Sequence, residues 1–168
     1  DIICTGPPDA EALGAAVEAI HSADMIVLAP GSLYTSIIPN LLVDGIADAI
    51  RDSKALKLYV CNVMTQEGET EGYTVSDHIQ ALFSHSYPGL FRLCLTNSTP
   101  IPECIALRYA QEGAEPIHHD VERCRALGVE LIDRPIAALE NGLVRHNPGH
   151  LAHELMTIYE TYSQKSPT

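Results

Sequence analysis

The sequence has few basic residues. Ten lysines and arginines stand against 22 aspartates and glutamates, which gives a formal net charge of −12 with neutral histidines. A chain with this balance repels nucleic acids and anionic membrane surfaces, so we expect neither as a partner. The shortage also restricts any phosphate site, because such a site has to combine backbone amides with one or two well-placed arginines.

Long apolar runs and cysteine pairs are absent as well. No stretch approaches the roughly 18 apolar residues typical of a membrane-spanning helix, and the first residues carry no basic segment of a secretory signal. The five cysteines, Cys4, Cys61, Cys94, Cys104 and Cys124, are odd in number and include no CxxC spacing. We therefore expect reduced, buried cysteines in a cytoplasmic protein.

The chain is rich in alternating patterns. Short apolar runs predict strands at residues 25–28, 57–64, 91–97, 129–132 and 142–146, and amphipathic stretches predict helices at 9–22, 44–53, 74–83, 105–110, 121–127 and 147–162. This order predicts an α/β fold, Rossmann-like, with three α/β/α layers and a mainly parallel sheet. The run at 25–28, with the β-branched Ile26 and Val27, is predicted to be a central strand buried on both faces.

The stretch after this strand is the first candidate site. A strand, a glycine turn and a helix start rich in hydroxyl groups can bind an anion, because the first helical amides have no partner within the helix. The candidate ligand contacts are Pro30, Gly31, Ser32, Tyr34, Thr35 and Ser36. The alternative is an ordinary turn that binds nothing, since the stretch matches neither the P-loop nor the dinucleotide-binding fingerprint.

The polar loop after the second predicted strand is the next candidate. Ligands of parallel sheets bind beyond the carboxyl ends of the strands, so this loop and the turn at 30–36 should share one edge. Its polar groups suit sugar hydroxyls, or a divalent cation held through water, and the candidate contacts are Asn62, Thr65, Gln66, Glu69 and Thr70. Two alternatives stay open: a loop that is only solvated, and an asparagine that ties the backbone.

Two residues in the second half of the chain complete the candidate ligand site. Arg145 is one of the ten basic residues and follows an apolar strand end, where its directional donors suit a phosphate or a uracil. Tyr109, in an irregular connection, can stack on a base. The alternatives are an arginine paired with a nearby carboxylate and a tyrosine that only packs.

The histidines suggest metal or acid–base chemistry only weakly. His118 with His119, and His150 with His153, resemble ligand pairs, but no third ligand follows at a recognisable spacing, so we expect no zinc. The sequence contains no GxSxG motif of a hydrolase nucleophile. His78, beside Asp77 at the edge of the polar loop, could act as a general base, but a capped helix start explains the pair equally well.

Two stretches of the sequence resemble a known family. Residues 23–42, with PGSLYTSIIPN, and residues 61–70, with MTQEGET, are similar to the bacterial gluconeogenesis factors (YvcK-like), which share a superfamily with the CofD-like 2-phospho-L-lactate transferases. Later pieces at 108–110, 119–120 and 143–146 follow in the expected order. The transferases carry a different sequence in place of PGSLYTSIIPN, which favours the gluconeogenesis factor branch.

The resemblance implies several properties of this chain. It implies a Rossmann-like α/β fold, a cytoplasmic location, binding of a UDP-sugar such as UDP-N-acetylglucosamine, and a role in cell shape and cell-wall synthesis during gluconeogenic growth. It implies no established reaction and no certain cofactor, and it leaves a homo-oligomer open. The alternative is an enzyme that transfers a phospholactyl group from a guanosine-diphosphate-linked donor to a deazaflavin precursor, and only this alternative requires Mg²⁺.

One departure from the family concerns the extent of the chain. The family opens with a glycine-rich loop and an Asp-Asp-Gly-Gly-type stretch, and the sequence has neither. We therefore expect residues 1–168 to be the C-terminal part of a single CofD-like α/β domain. Part of a composite ligand site would then lie outside this sequence.

Overall fold

A four-stranded parallel sheet organises the chain. The computed structural model describes residues 11–163. Its main sheet contains β1 (Met25–Leu28), β2 (Leu56–Val60), β3 (Leu93–Asn97) and β4 (Glu130–Arg134), side by side in chain order and all parallel. The predicted parallel sheet is therefore confirmed.

Helices connect and cover these strands. They are α1 (Gly14–Ser22), α2 (Ile38–Leu41), α3 (Ile46–Asp52), α4 (Val75–Ser84), α5 (Glu103–Gln111), α6 (Val121–Ala126) and α7 (Pro148–Ser163), and a π-helical turn (Leu33–Ile37) runs directly into α2. None of the helices within residues 11–163 combines the length and the apolar character that crossing a membrane requires. The predicted helix start at Asp9 lies outside the described residues, and so does Cys4.

Alternate strand residues pack on opposite faces of the sheet and create two cores. Tyr59 and Cys94 face a core that also contains buried side chains of α2, α3, α4 and α6. Leu58 and Leu95 face a second core, to which α7 contributes Ile158. Strand residues point alternately to the two faces, so both faces are covered, and the predicted three-layer architecture is confirmed.

The predicted position of β1 is wrong for the described residues. β1 pairs only with β2 and forms one edge of the four-stranded sheet, and three of its four residues are half-buried. Ile26 and Leu28 pack in one core, whereas Met25 and Val27 pack against the other. The apolar run at 25–28 therefore indicates that both faces of the strand are covered, but it does not indicate where the strand lies in the order of the sheet.

A separate hairpin follows the sheet. β5 (Ala137–Glu140) and β6 (Leu143–His146) pair antiparallel, so the predicted strand at 142–146 exists but belongs to no parallel sheet. β5 was not predicted. Asn141 and Gly142 connect the two strands with φ of 51° and 75°. Two successive positive φ values are typical of the tight hairpin turn that Asn-Gly favours, so this dipeptide was the signal to follow.

Two predicted helix starts are confirmed in detail. The amide of Thr74 donates to Asp77 Oδ2 at 2.9 Å, and the two residues form a capping box at the start of α4. At α7, the Asn147 side-chain oxygen accepts from the amide of His150 at 3.0 Å, and Pro148 opens the helix. The first cap fixes the backbone just after the polar loop, and the second fixes the backbone just after the hairpin.

Candidate functional site

A cavity of about 340 Å³ lies at the carboxyl edge of the sheet, where the sequence places the candidate site. Two walls line it. We define the loop wall as residues 30–32, 62–64 and 66, and the hairpin wall as residues 109 and 144–146. A larger cavity of about 840 Å³ opens at the opposite edge, beside the first residues of the strands. The smaller cavity is the candidate site because predicted contacts from four separate segments meet there.

Seven of the thirteen predicted ligand contacts line this cavity: Pro30, Gly31, Ser32, Asn62, Gln66, Tyr109 and Arg145. The other six do not line it: Tyr34, Thr35, Ser36, Thr65, Glu69 and Thr70. Their contact with a ligand stays a prediction. Val63, Met64, Val144 and His146 also line the cavity, and the sequence analysis missed them although each adjoins a predicted contact or its segment.

Asn62 joins the two halves of the loop wall. Its Nδ2 donates to the Gly31 carbonyl at 2.9 Å, and its Oδ1 accepts from the Gly31 amide at 3.2 Å. Both ends of this side-chain amide are therefore engaged by one residue of the neighbouring loop. In this structure Asn62 therefore bonds the backbone of a neighbouring loop, which was the alternative to a ligand contact.

A second pair of contacts fixes the π-helical turn. The amide of Tyr34 donates to Glu69 Oε1 at 3.0 Å, so a carboxylate of the chain already occupies an amide that was predicted to meet a phosphate. The Tyr34 and Tyr73 hydroxyls share a hydrogen bond of 2.8 Å. Burial, this hydrogen bond and the nearby Glu69 raise the pKa of Tyr34 to about 12, so the phenol stays protonated at neutral pH.

Two buried threonines fix the polar loop, one by a bond to the segment before α6 and one by a bond within the loop. The Thr65 hydroxyl accepts from the amide of Glu115 at 2.8 Å, and the Thr70 hydroxyl accepts from the amide of Gln66 at 3.0 Å. Their exposed fractions are only 4% and 1%. Thr65 and Thr70 therefore shape the loop that presents Gln66. The Ser32 hydroxyl then donates to Gln66 Oε1 at 2.9 Å and links Gln66 to the turn.

The hairpin wall holds the cavity's cation. Arg145 is the only aspartate, glutamate, lysine or arginine that lines the cavity, and its side chain forms no hydrogen bond or ion pair with any residue in the described range 11–163. Beside it, the Tyr109 hydroxyl accepts from the amide of Val144 at 3.0 Å. A guanidinium without an ion-pair partner can bind an anionic group, although the chain as a whole carries a charge of −12.

His146 is the second titratable group that the hairpin brings to the cavity. Its Nε2 lies 3.3 Å from the carbonyl oxygen of Cys61, at the end of β2. Burial lowers the pKa of His146 below its usual value, and the hydrogen bond to Cys61 opposes this effect only in part. The imidazole is therefore neutral at pH 7.

The other candidate histidines do not join the cavity. His119 Nδ1 lies 2.9 Å from Asp133 Oδ1, and the His118 carbonyl accepts from the amide of Val75. Across residues 11–163, no three histidine, cysteine, aspartate or glutamate side chains converge as a metal site would require. The absence of zinc stays a prediction.

The pair Asp77 and His78 serves the start of α4. His78 is fully buried, its Nδ1 lies 2.9 Å from the Thr74 carbonyl, and burial lowers its pKa. A general base has to reach a substrate proton, and His78 does not line the cavity. The capping interpretation therefore accounts for this pair.

The cysteines are unpaired in the part of the chain that the structure describes. Cys61, Cys94 and Cys124 are buried, as predicted, but Cys104 is exposed. Burial raises the pKa of Cys124 to about 12, with the adjoining Asp120 acting in the same direction. The three buried thiols are core side chains, and none of the four lines the cavity.

Comparisons with known proteins agree with this architecture. The family model described as "2-phospho-L-lactate transferase CofD" matches residues 1–137. The "Gluconeogenesis factor" of Halalkalibacterium halodurans is 45% identical over 150 residues, which are 89% of this chain and 47% of that protein. The "Gluconeogenesis factor" of Bacillus subtilis is 41% identical over 152 residues, 90% of this chain and 48% of that protein.

A solved structure is similar as well. The crystal structure of protein BH3568 from Bacillus halodurans is 45% identical, superimposes with a TM-score of 0.86, and is matched over 89% of this chain and 48% of its own. The chain thus spans about half the length of the curated relatives and of the solved structure that it matches.

Proposed function

This chain belongs to the CofD family, and from that premise we propose that it binds a nucleotide-sugar as part of a gluconeogenesis factor-like regulatory protein. The ligand of this proposal is a UDP-sugar. The chain contributes the C-terminal part of one CofD-like domain, and the cavity between the loop wall and the hairpin wall receives the nucleotide.

One observation carries the proposal. The cavity's single cation, Arg145, has no carboxylate partner in residues 11–163, although the chain has more than twice as many acidic as basic residues. A guanidinium that lines a cavity without carboxylates favours a ligand that brings its own negative charge. Tyr109 lies in the same wall; the Arg108 guanidinium lies over one face of its ring, 5.7 Å from the centroid, and the other face is the one on which a base would stack.

The names of the relatives support a proposal for the biological role. Two of them carry the name "Gluconeogenesis factor", and we propose the same class of role for this chain. A cytoplasmic regulator that senses a nucleotide-sugar would couple precursor supply to cell-wall synthesis and cell shape. In this proposal the chain binds its ligand and needs no cofactor.

The family model's own description favours a second candidate, a phospholactyl transferase. In that reaction a guanosine-diphosphate-linked donor would bind in the same cavity, with Mg²⁺ neutralising the phosphates. No aspartate or glutamate lines the cavity, so the described residues offer the metal no direct carboxylate ligand there.

Calorimetric titration of the full-length protein separates the two candidates. UDP-N-acetylglucosamine is expected to bind without added Mg²⁺, and a mixture of phospholactyl donor, deazaflavin acceptor and Mg²⁺ is expected to give no product. Product formation at a rate above the protein-free control would establish the transferase. Failure of any UDP-sugar to bind at millimolar concentration would contradict the nucleotide-sugar proposal.

A further inference from the structure

The polar groups of the cavity are mostly donors once the internal hydrogen bonds are assigned. Asn62 uses both ends of its amide on Gly31. Gln66 Oε1 accepts from Ser32, which leaves the two N–H bonds of Gln66 for a ligand. Arg145 adds further donors and no acceptor. A ligand with several acceptor oxygens fits this supply, but its own N–H groups need an acceptor in the wall.

His146 provides that acceptor. A carbonyl oxygen only accepts hydrogen bonds, so the contact between His146 Nε2 and the Cys61 carbonyl requires the proton to be on Nε2. In the neutral ring Nδ1 then carries a lone pair. Since Nε2 is engaged, Nδ1 is the only polar ring atom that His146 can offer to a ligand in the cavity it lines.

Resting on the proposed function, we propose that His146 is the residue that selects the base. Uracil carries an N–H at ring position 3, and guanine carries one at position 1, each beside a carbonyl. That N–H donates to His146 Nδ1, and the adjoining carbonyl accepts from Gln66 or Arg145. Cytosine and adenine present a lone pair at the equivalent ring nitrogen. That lone pair would face the lone pair of His146 Nδ1 with no proton between them, so no hydrogen bond forms.

The first test compares four nucleoside diphosphates on the full-length protein by calorimetry at pH 7.5. UDP or GDP is expected to bind at least about tenfold more tightly than CDP and ADP, since one unsatisfied buried acceptor is worth roughly that factor. The relative affinity of UDP and GDP identifies the base. Equal affinity for all four would overturn the role of His146 and leave nucleotide binding intact. No binding of any of them would contradict the proposed function itself, and this inference with it.

The second test changes His146 in two ways. His146→Gln keeps a donor that can reach the Cys61 carbonyl but has no acceptor at the place of Nδ1. This variant is expected to bind UDP or GDP about tenfold more weakly and to bind CDP and ADP with unchanged affinity. The preference for UDP or GDP over CDP and ADP is therefore lost. His146→Asn places a side-chain oxygen near the position of Nδ1 and loses the bond to Cys61. This variant is expected to keep the preference for UDP or GDP over CDP and ADP, although the lost bond to Cys61 lowers its melting temperature.

The pair of variants separates selection from support. A folded His146→Gln protein that still prefers UDP or GDP by the wild-type factor would overturn the proposal. So would a His146→Asn protein that binds the four nucleotides equally. Loss of discrimination in the Gln variant together with its retention in the Asn variant is the pattern that a merely structural histidine cannot produce.

Discussion

The two walls of the cavity differ in how their polar groups are used. In the loop wall, Asn62 is bonded twice to Gly31, and Ser32 is bonded to Gln66, so polar side chains join one segment of the chain to another. In the hairpin wall, Tyr109 accepts from the Val144 amide and His146 Nε2 bonds the Cys61 carbonyl, but the Arg145 side chain bonds no residue in the range 11–163.

This difference separates structural polar groups from groups free to recognise a ligand. A side chain whose donors and acceptors are already satisfied has little left for a ligand, and its removal leaves buried partners unsatisfied. Arg145 has no such commitment within the described residues. We therefore expect substitutions that loosen the loop wall to lower stability first, and substitution of Arg145 in the hairpin wall to lower affinity first.

The largest stability effect is expected from Asp120, which anchors the start of α4, the helix that follows the polar loop. Asp120 accepts from the Ser76 amide at 3.0 Å, from the Thr74 hydroxyl at 2.9 Å and from the Ser76 hydroxyl. Asp120→Ala should lower the free energy of unfolding by on the order of 3 kcal/mol, because it leaves a helix start without its charged acceptor. Urea denaturation measures this, with Glu122→Ala on exposed α6 surface as the control. Equal losses in both variants would contradict the anchoring role.

The same residue makes a prediction about pH. Burial acts to raise the pKa of Asp120, but the hydrogen bonds from Ser76 and Thr74 outweigh it and hold the pKa below its usual value. Its contribution to stability is therefore complete above the ordinary aspartate pKa of about 3.9 and is lost as the pH falls through the lower folded-state pKa. Asp120→Asn should show a smaller drop in unfolding free energy between pH 6 and pH 3 than the wild type. An identical drop would assign the acid sensitivity to other groups.

A smaller effect is expected inside the loop wall itself. Asn62→Ala removes both bonds to Gly31 and should lower the free energy of unfolding by roughly 2 kcal/mol, since the Gly31 amide and carbonyl lose their partner. Asn40→Ala is the matched control, because Asn40 is exposed and bonds only the Ser36 carbonyl. Affinity for a nucleotide should fall only as far as the turn is disturbed. Unchanged stability with a large loss of affinity would place Asn62 among the ligand contacts.

The smallest effect is expected for Tyr109→Phe. It removes only the hydroxyl that accepts from Val144, so stability should change by less than about 1 kcal/mol and the ring should still stack on a base. Tyr109→Ala removes the ring and should weaken ligand binding clearly more than the Phe variant. Equal affinities of the two variants would show that the ring makes no ligand contact.

The periodic parts of the fold were predictable from the sequence. Short apolar runs that alternate with amphipathic stretches predict the sheet and its helices, and capping residues such as Asn147 predict where helices start. The edge position of β1 was not predictable, because a strand covered on both faces reads the same at an edge and at the centre. The hairpin was predictable from Asn141-Gly142, which the sequence analysis passed over.

The candidate site was predictable only as a set of segments. Residues Gly31 and Asn62 are 31 positions apart, and Tyr34 and Glu69 are 35 positions apart. Which polar groups bond each other across such distances depends on tertiary packing, so the sequence could not separate the tying side chains from the free ones. His146 was missed for the same reason, because its bond to Cys61 spans 85 positions.

The distinction between the two walls is tested most directly by Arg145→Ala. Calorimetric titration of the full-length protein with UDP-N-acetylglucosamine is combined with a melting curve, and Arg125→Ala, an exposed arginine on α6, serves as the control. We expect affinity to fall by roughly 1.5–3 kcal/mol, about ten- to a hundredfold, because a charge-assisted hydrogen bond to the diphosphate is lost. The melting temperature should stay unchanged, since the Arg145 side chain bonds no described residue and its backbone pairing in the hairpin is kept. Unchanged affinity in a folded variant, or lost affinity together with a collapsed melting temperature, would contradict the assignment of ligand recognition to the hairpin wall.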